Sequence, residues 1–259
     1  MLVKFYKYQG TGNDFIMIDN RQLGLKLNGE KVAQLCHRRY GIGADGLILL
    51  QEKSGYDFEM IYYNSDGRQS SMCGNGGRCI VKFAHDLKLI AGTCNFLAVD
   101  GAHKASMLPD SVVSLKMKDV GDIQQNDNDF VLNTGSPHYV RFTTDVNKME
   151  VVDEAHKIRY SDVYKAEGIN VNFAEPISAN TIRMRTYERG VEDETYSCGT
   201  GVVAASLAFA TKSKHHMDST VVETMGGWLN VSFEKVTSGF KNIYLKGTAL
   251  KVFEGEVEV

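Results

Sequence analysis

The sequence has 259 residues, 43% of them hydrophobic and 24% charged, with only three prolines; at about 150 residues per domain, that suits two compact cores and leaves little room for disorder. A net charge of -3, with Lys and Arg scattered rather than gathered into a stripe, argues against a nucleic-acid partner. The longest apolar runs, such as VVAASLAFA, are too short to span a bilayer and the opening MLVKFYKYQG lacks a secretory h-region, so no membrane partner is expected and the protein reads as cytoplasmic.

In chain order, alternation of apolar and polar residues predicts a half-buried strand over 2–8, and the spacing over 29–38 predicts an amphipathic helix. A strand over 58–63 follows, then a helix opening at Cys73 and running through RCIVKFAHDLKL, then a strand over 112–117. Polar and turn-forming residues cluster in GDIQQNDND, 121–129, which places a domain boundary there. Beyond it come a strand over 181–187, a helix opening at Cys198 through GVVAASLAFATK, a strand over 228–233 and a tail strand over 248–259. The helices that begin at Cys73 and Cys198 are apolar around most of their circumference, so each is expected to run through the middle of its own strand-rich domain. The expected domains are 1–120 and 121–247.

The chain repeats itself. Thr11, Gly12 and the apolar run after them recur at Thr134, Gly135 and beyond, an offset of 123. Met60, Tyr63, Asn64 and Gly67 are echoed by Met184, Tyr187, Glu188 and Gly190 at offsets of 123 or 124, and Cys73 by Cys198 at 125. Three matches in one order at nearly one offset indicate a duplicated unit.

The chemistry sits in the two cysteine motifs. Five cysteines in a chain of this size are expected as reduced thiols, and their spacing with the histidines gives no zinc set, so no metal is expected. Cys36, Cys79 and Cys94 read as small buried hydrophobes. Cys73 and Cys198 differ, because each is followed by glycines at a helix start. Unpaired N–H groups and the positive end of the macrodipole there bind a carboxylate and stabilise a thiolate. A thiolate and a thiol on two halves of a duplicated chain suit removal of a proton from one face of a carbon and return of one to the other. The glycines do not form a dinucleotide loop, since no GxGxxG follows a predicted strand. Three other readings remain open at this point: a cofactor-independent racemase or epimerase for another amino acid such as proline or hydroxyproline, a thiol hydrolase or transferase using Cys198 with His138, and a binding protein that keeps the fold without catalysis.

The motifs MCGNGGRC and SCGTG, with GTGNDF, GIGADG, YYNSDG, TGSPH, GIN and YERGVEDET, occur in order along almost the whole chain. Together they resemble the diaminopimelate epimerase family. Proline and hydroxyproline racemases share the cysteine logic but carry histidine after the first Cys-Gly, where this chain has Asn75. The resemblance implies an α+β fold of two similar domains, each with strands around a central helix, an active site in the cleft between them, and a tail strand 248–259 that returns to the first domain. It implies no cofactor, a homodimer, and conversion of L,L-diaminopimelate to the meso form in lysine and peptidoglycan precursor synthesis.

Carried over by position, the resemblance makes Cys73 and Cys198 the two bases. Gly74, Asn75, Gly199 and Thr200 become the helix-start groups that hold the reacting carboxylate. Asn13, Asn64, Asn170 and Arg189 hold substrate, the last three its distal end, while His138 and Glu188 engage the reacting amino group or assist proton transfer. An Arg fork for a carboxylate and amide or carboxylate acceptors for an ammonium are chemically apt, although Arg189 beside Glu188 also fits a surface ion pair. Some family members have Gln where this chain has Gly46 and many have Asn at Ser136, so both positions are left out of the site, with water or backbone expected in their place.

Overall fold

The structure, a computed structural model, describes residues 1–70 and 72–259. Ser71, just before the first cysteine motif, lies outside the described residues. The chain divides into two compact units, Met1–Leu115 with Gly247–Val259, and Lys116–Lys246.

In the first unit, strand Leu2–Gly10 pairs antiparallel with Asn13–Asp19 through a two-residue turn, Gly10 facing Asn13. Thr11 and Gly12 both have positive φ, 51° and 82°, the conformation that lets a two-residue hairpin follow the right-handed twist of its strands. Asn13–Asp19 then runs parallel to Gly46–Gln51, which pairs antiparallel with Phe58–Asn64. That strand is briefly parallel to Thr93–Ala98, itself antiparallel to Gly101–Met107. The tail strand, Leu250–Glu258, pairs with Leu2–Gly10.

Two helices are set into this sheet. Helix α1, Gly29–Cys36, starts where the Asn28 side chain accepts the Lys31 N–H at 2.8 Å, a cap worth about 1 kcal/mol. It stops short of the predicted 38 because His37 is already extended, which frees Arg38 for ion pairs described below. Helix α2, Gly74–Asp86, buries Cys79, Ile80, Val81, Phe83 and Ala84. Lys88, at φ 59°, turns the chain out of it before the predicted end at 89. GIGADG does match GxGxxG, yet it lies between α1 and a strand rather than opening a helix, so its N–H groups form no dinucleotide cradle.

The second unit repeats the order. Asp129–Asn133 pairs antiparallel with Pro137–Phe142, which is parallel to Asn170–Pro176, which is antiparallel to Thr181–Glu188, which is parallel to Ser219–Thr224. Helix α3, Val151–Arg159, fills the place of α1 and α4, Gly199–Lys212, that of α2. Every residue of α4 from Val202 to Ala210 is buried, as its almost wholly apolar sequence requires, and the one hydroxyl among them, Ser206 Oγ, donates to Val202 O at 2.8 Å. Among the described residues, four α-helices against many strands make the fold α+β with two similar halves, and the sequence offset of 123 to 125 is the trace of that repetition.

The two units divide between Leu115 and Lys116, five residues before the expected boundary. The segment 121–129 is not a linker: Ile123–Asn126 and Asp129–Asn133 form a hairpin inside the second unit, with Asp127 at φ 52° in its turn. The second unit starts at Lys116 rather than 121, since Met117 N–H donates to Ile243 O and Val120 bridges to Phe240. An exposed hairpin and a linker share the same polar, turn-rich composition.

Candidate active site

Each unit has one cysteine at the N-cap of its buried helix. In the first unit Cys73 is the N-cap of α2, with extended backbone, and its Sγ accepts the Gly76 N–H at 3.1 Å. A Cβ built on Gly76 would lie 3.1 Å from that sulfur and 3.2 Å from Ile48 Cδ1, so glycine lets the helix start press against the strands. Asn75, buried in the same turn, donates from Nδ2 to Asn13 Oδ1 at 3.3 Å, and Asn13 donates in turn to Asp45 Oδ2 at 2.6 Å.

Charge holds this arrangement in place. Arg38 bridges Asp14 at 2.8 Å and Asp45 at 2.6 Å, and Lys7 pairs with Asp14 at 2.8 Å. Burial would raise the Asp14 carboxyl, but Arg38 and Lys7 outweigh it and hold the group well below the usual carboxylate range. Asn64 ends its strand opposite Gly46, and the next residue, Ser65, donates its N–H to Asp45 O, so the Asn13 and Asn64 segments share one anchor. At Gly46, a Cβ would lie 2.6 Å from a Tyr62 ring carbon and 3.3 Å from its hydroxyl. The Tyr62 ring and the Tyr63 carbonyl oxygen, also 2.6 Å away, occupy the space that a longer side chain would take.

Arg78, one helical turn along α2, is fully buried and is the largest side chain to be so. It donates to Thr11 Oγ1 at 3.0 Å and Gly74 O at 3.3 Å, its Nε has no partner, and no carboxylate pairs with it among the described residues. Burial weakens its hold on the proton, while Cys79 and Cys73 act the other way. Cys79 is a neutral thiol, pushed far up by burial.

In the second unit Cys198 is the N-cap of α4, and its Sγ lies 3.4 Å from Thr200 Oγ1. His138 is fully buried, with Nε2 2.9 Å from the same hydroxyl and Nδ1 3.1 Å from Asn172 Nδ2. Its pKa falls to about 3, because burial and then the Arg189 cation oppose a positive ring. His138 therefore reaches Cys198 through Thr200 as a neutral imidazole. Gly201 makes room for the cluster, since a Cβ there would lie 2.5 Å from Asn172 Oδ1 and 3.3 Å from His138 Cε1.

The remaining residues form a second group in this unit. Asn170, buried, donates to Ser136 Oγ at 2.8 Å and Pro137 O at 2.9 Å, and its Oδ1 accepts the Arg189 N–H at 2.9 Å. Asn170 thus spends both donors on the protein, and Ser136 orients it. The exposed Arg189 donates from Nη1 to Glu167 O at 2.9 Å. Gly168, at φ 73°, lets the Arg189 stem pass: a Cβ would sit 2.7 Å from its Cδ. Glu188 is half-buried and accepts from Thr195 Oγ1 at 3.1 Å.

Asn172, Thr186, Arg78 and Tyr62 escaped the sequence reading. Asn172 had a signal, since it follows Asn170 at strand period 2 inside an otherwise apolar run.

Comparison with known proteins places these features. The family model described as diaminopimelate epimerase matches residues 5–118 and 130–252. The diaminopimelate epimerase of Flavobacterium psychrophilum is 51% identical over 253 residues, covering 97% of this chain and 99% of that protein. That of Chlorobaculum tepidum is 39% identical over 256 residues, covering 96% and 98%. Among solved structures, a phenazine biosynthesis protein of the PhzF family from Bacillus anthracis superposes with a TM-score of 0.77 at 13% identity over 100% of both chains. A hydroxyproline epimerase from Agrobacterium vitis superposes with a TM-score of 0.67 at 15% identity, covering 99% of this chain and 92% of that one.

At those identities the structural likeness speaks for the fold alone, and it assigns the chain to the duplicated α+β class that these proteins share. Within that class the chain belongs to the diaminopimelate epimerase family, whose members are isomerases.

Proposed function

We propose that this protein converts L,L-2,6-diaminopimelate to meso-diaminopimelate without a cofactor, with Cys73 and Cys198 as the two bases. The observation that carries the reading is the duplicated placement of a cysteine at the N-cap of a buried helix, in a chain 51% identical to a diaminopimelate epimerase along nearly its whole length. One sulfur, as thiolate, takes the α-proton and becomes a thiol; the other, as thiol, delivers its proton to the opposite face and becomes the thiolate.

The α-hydrogen of an amino acid is a very weak acid, so the developing negative charge needs donors already in place. The first N–H groups of the two helices, at Gly74, Asn75, Gly199 and Thr200, suit the reacting carboxylate. Glu188 suits the reacting ammonium, with Asn13 orienting the same end. Asn64, Asn170 and Arg189 serve the distal end, where the Arg189 guanidinium is matched to a carboxylate. The setting is a cytoplasmic homodimer supplying lysine and peptidoglycan precursors, the dimer being open to light scattering on the purified chain.

Incubation of L,L-diaminopimelate with the purified, reduced protein and separation of the stereoisomers tests the reading. The expected product is the meso form, and Cys73→Ala and Cys198→Ala each abolish it. Absence of meso product from the unmodified protein sinks the proposal, and a single-cysteine variant with normal turnover sinks the two-base mechanism.

A further inference from the structure

The second unit holds a chain of hydrogen bonds that ends on Cys198, and its direction is fixed by the one member that cannot donate. Asn172, fully buried, sits 2.9 Å from Tyr139 O through its Nδ2. A main-chain carbonyl only accepts, so the amide NH2 group faces Tyr139 and the amide oxygen faces the other way. On that other side Thr186 Oγ1 donates to Asn172 Oδ1 at 3.0 Å, as this orientation requires. The second Nδ2 proton lies 3.1 Å from His138 Nδ1, so that ring nitrogen accepts and the ring proton resides on Nε2. His138 Nε2–H then donates to Thr200 Oγ1 at 2.9 Å, which leaves the Thr200 hydroxyl proton for Cys198 Sγ at 3.4 Å.

We infer that Asn172 and Thr186 are positioning residues which lock His138 in its Nε2–H form, so that the Thr200 hydroxyl is turned onto the Cys198 sulfur as a fixed hydrogen-bond donor. The inference rests on reading Cys198 as one of the two bases. No proton travels along the chain. The proton taken from substrate stays on Cys198 Sγ, and the hydroxyl contributes a hydrogen bond that is stronger to the thiolate than to the thiol. Burial and the Arg189 cation, the charged group that bears on the ring, both keep His138 neutral, so it does not compete for the proton.

The first unit achieves the same end differently. Thr200 corresponds to Asn75 at the offset of 125 that joins the cysteines, and there a backbone N–H, that of Gly76, meets the sulfur. The Thr200 hydroxyl supplies Cys198 with the donor that the backbone gives Cys73.

Two measurements test this, and neither needs turnover, so a protein inactive on diaminopimelate would still answer them. Long-range proton–nitrogen NMR of the full chain with labelled histidine, with His138 assigned by its loss in His138→Gln, should show the proton on Nε2 and a bare Nδ1 from pH 9 to pH 5. A proton on Nδ1, or a doubly protonated ring near pH 6.5, overturns the inference. Peptide-resolved alkylation of Cys198 against pH reads the other end. Thr200→Val should move the midpoint upward by about one to two pH units while Thr200→Ser leaves it in place. An unmoved midpoint in a folded Thr200→Val protein overturns the inference, and where that variant does not fold the NMR result on the unmodified chain decides.

Discussion

Acid stability isolates the contribution of His138. In the unfolded chain its ring takes a proton below the ordinary value of about 6.5, whereas in the folded chain it stays neutral down to about 3, because burial and then Arg189 oppose the charge. Below pH 6.5 the unfolded state therefore binds the extra proton, and stability is lost from there downward until the folded value is reached. Between pH 7.5 and pH 5 that loss is about 2 kcal/mol, and it depends almost wholly on the unfolded value, since pH 5 lies well above 3. His138→Gln removes the titration and keeps a side chain able to bond Thr200. Urea unfolding of both proteins at the two pH values gives the difference of differences, in which the other six histidines cancel. A pH dependence identical in the two proteins would refute the reasoning, because it would mean that the ring carries no penalty for charging in the fold.

Four further outcomes are expected. Burial pushes Cys36 and Cys94 up to about 12 and Cys79 higher still, so iodoacetamide at pH 8 should modify native protein at Cys73 and Cys198 and reach the other three only after denaturation, as peptide mass spectrometry would show. Arg78→Met removes a buried cation that no carboxylate balances; the melting temperature should hold within a few degrees while Cys73 alkylation moves to higher pH. Arg189→Gln should lower kcat/KM for diaminopimelate by about 10- to 100-fold, chiefly through KM, and an unchanged KM would remove Arg189 from the distal site. Gly46→Ala forces a Cβ to within 2.6 Å of Tyr63 O and should cost about 1–3 kcal/mol in urea unfolding.

What could be read from the sequence was local or repeated. A cysteine followed by glycines marks a helix start because capping involves only neighbours, and α2 and α4 begin as that pattern indicates. The offset of 123 to 125 survived because both halves keep the same turns. Residues defined by partners far along the chain did not announce themselves. Arg78 reads as an ordinary helical arginine until Thr11 is seen beside its guanidinium, and Asn172 acquires its meaning from Tyr139, His138 and Thr186, none of them adjacent to it. Asn170 is legible in its motif as a substrate group, whereas the hydrogen bonds of its amide to Ser136 and Pro137 come from partners more than thirty residues away. The hairpin within 121–129 was not legible, because hydrogen bonding between its strands leaves no compositional mark.

The central claim is that two thiols act on one carbon from opposite faces, and early turnover in D2O tests it most directly. If the accepting and donating sulfurs differ, the inverted centre of the first meso-diaminopimelate formed carries deuterium from solvent while unreacted L,L-diaminopimelate retains its α-protium. Protium retained at the inverted centre, or exchange in recovered substrate as fast as inversion, would show a single base serving both faces and would contradict the account.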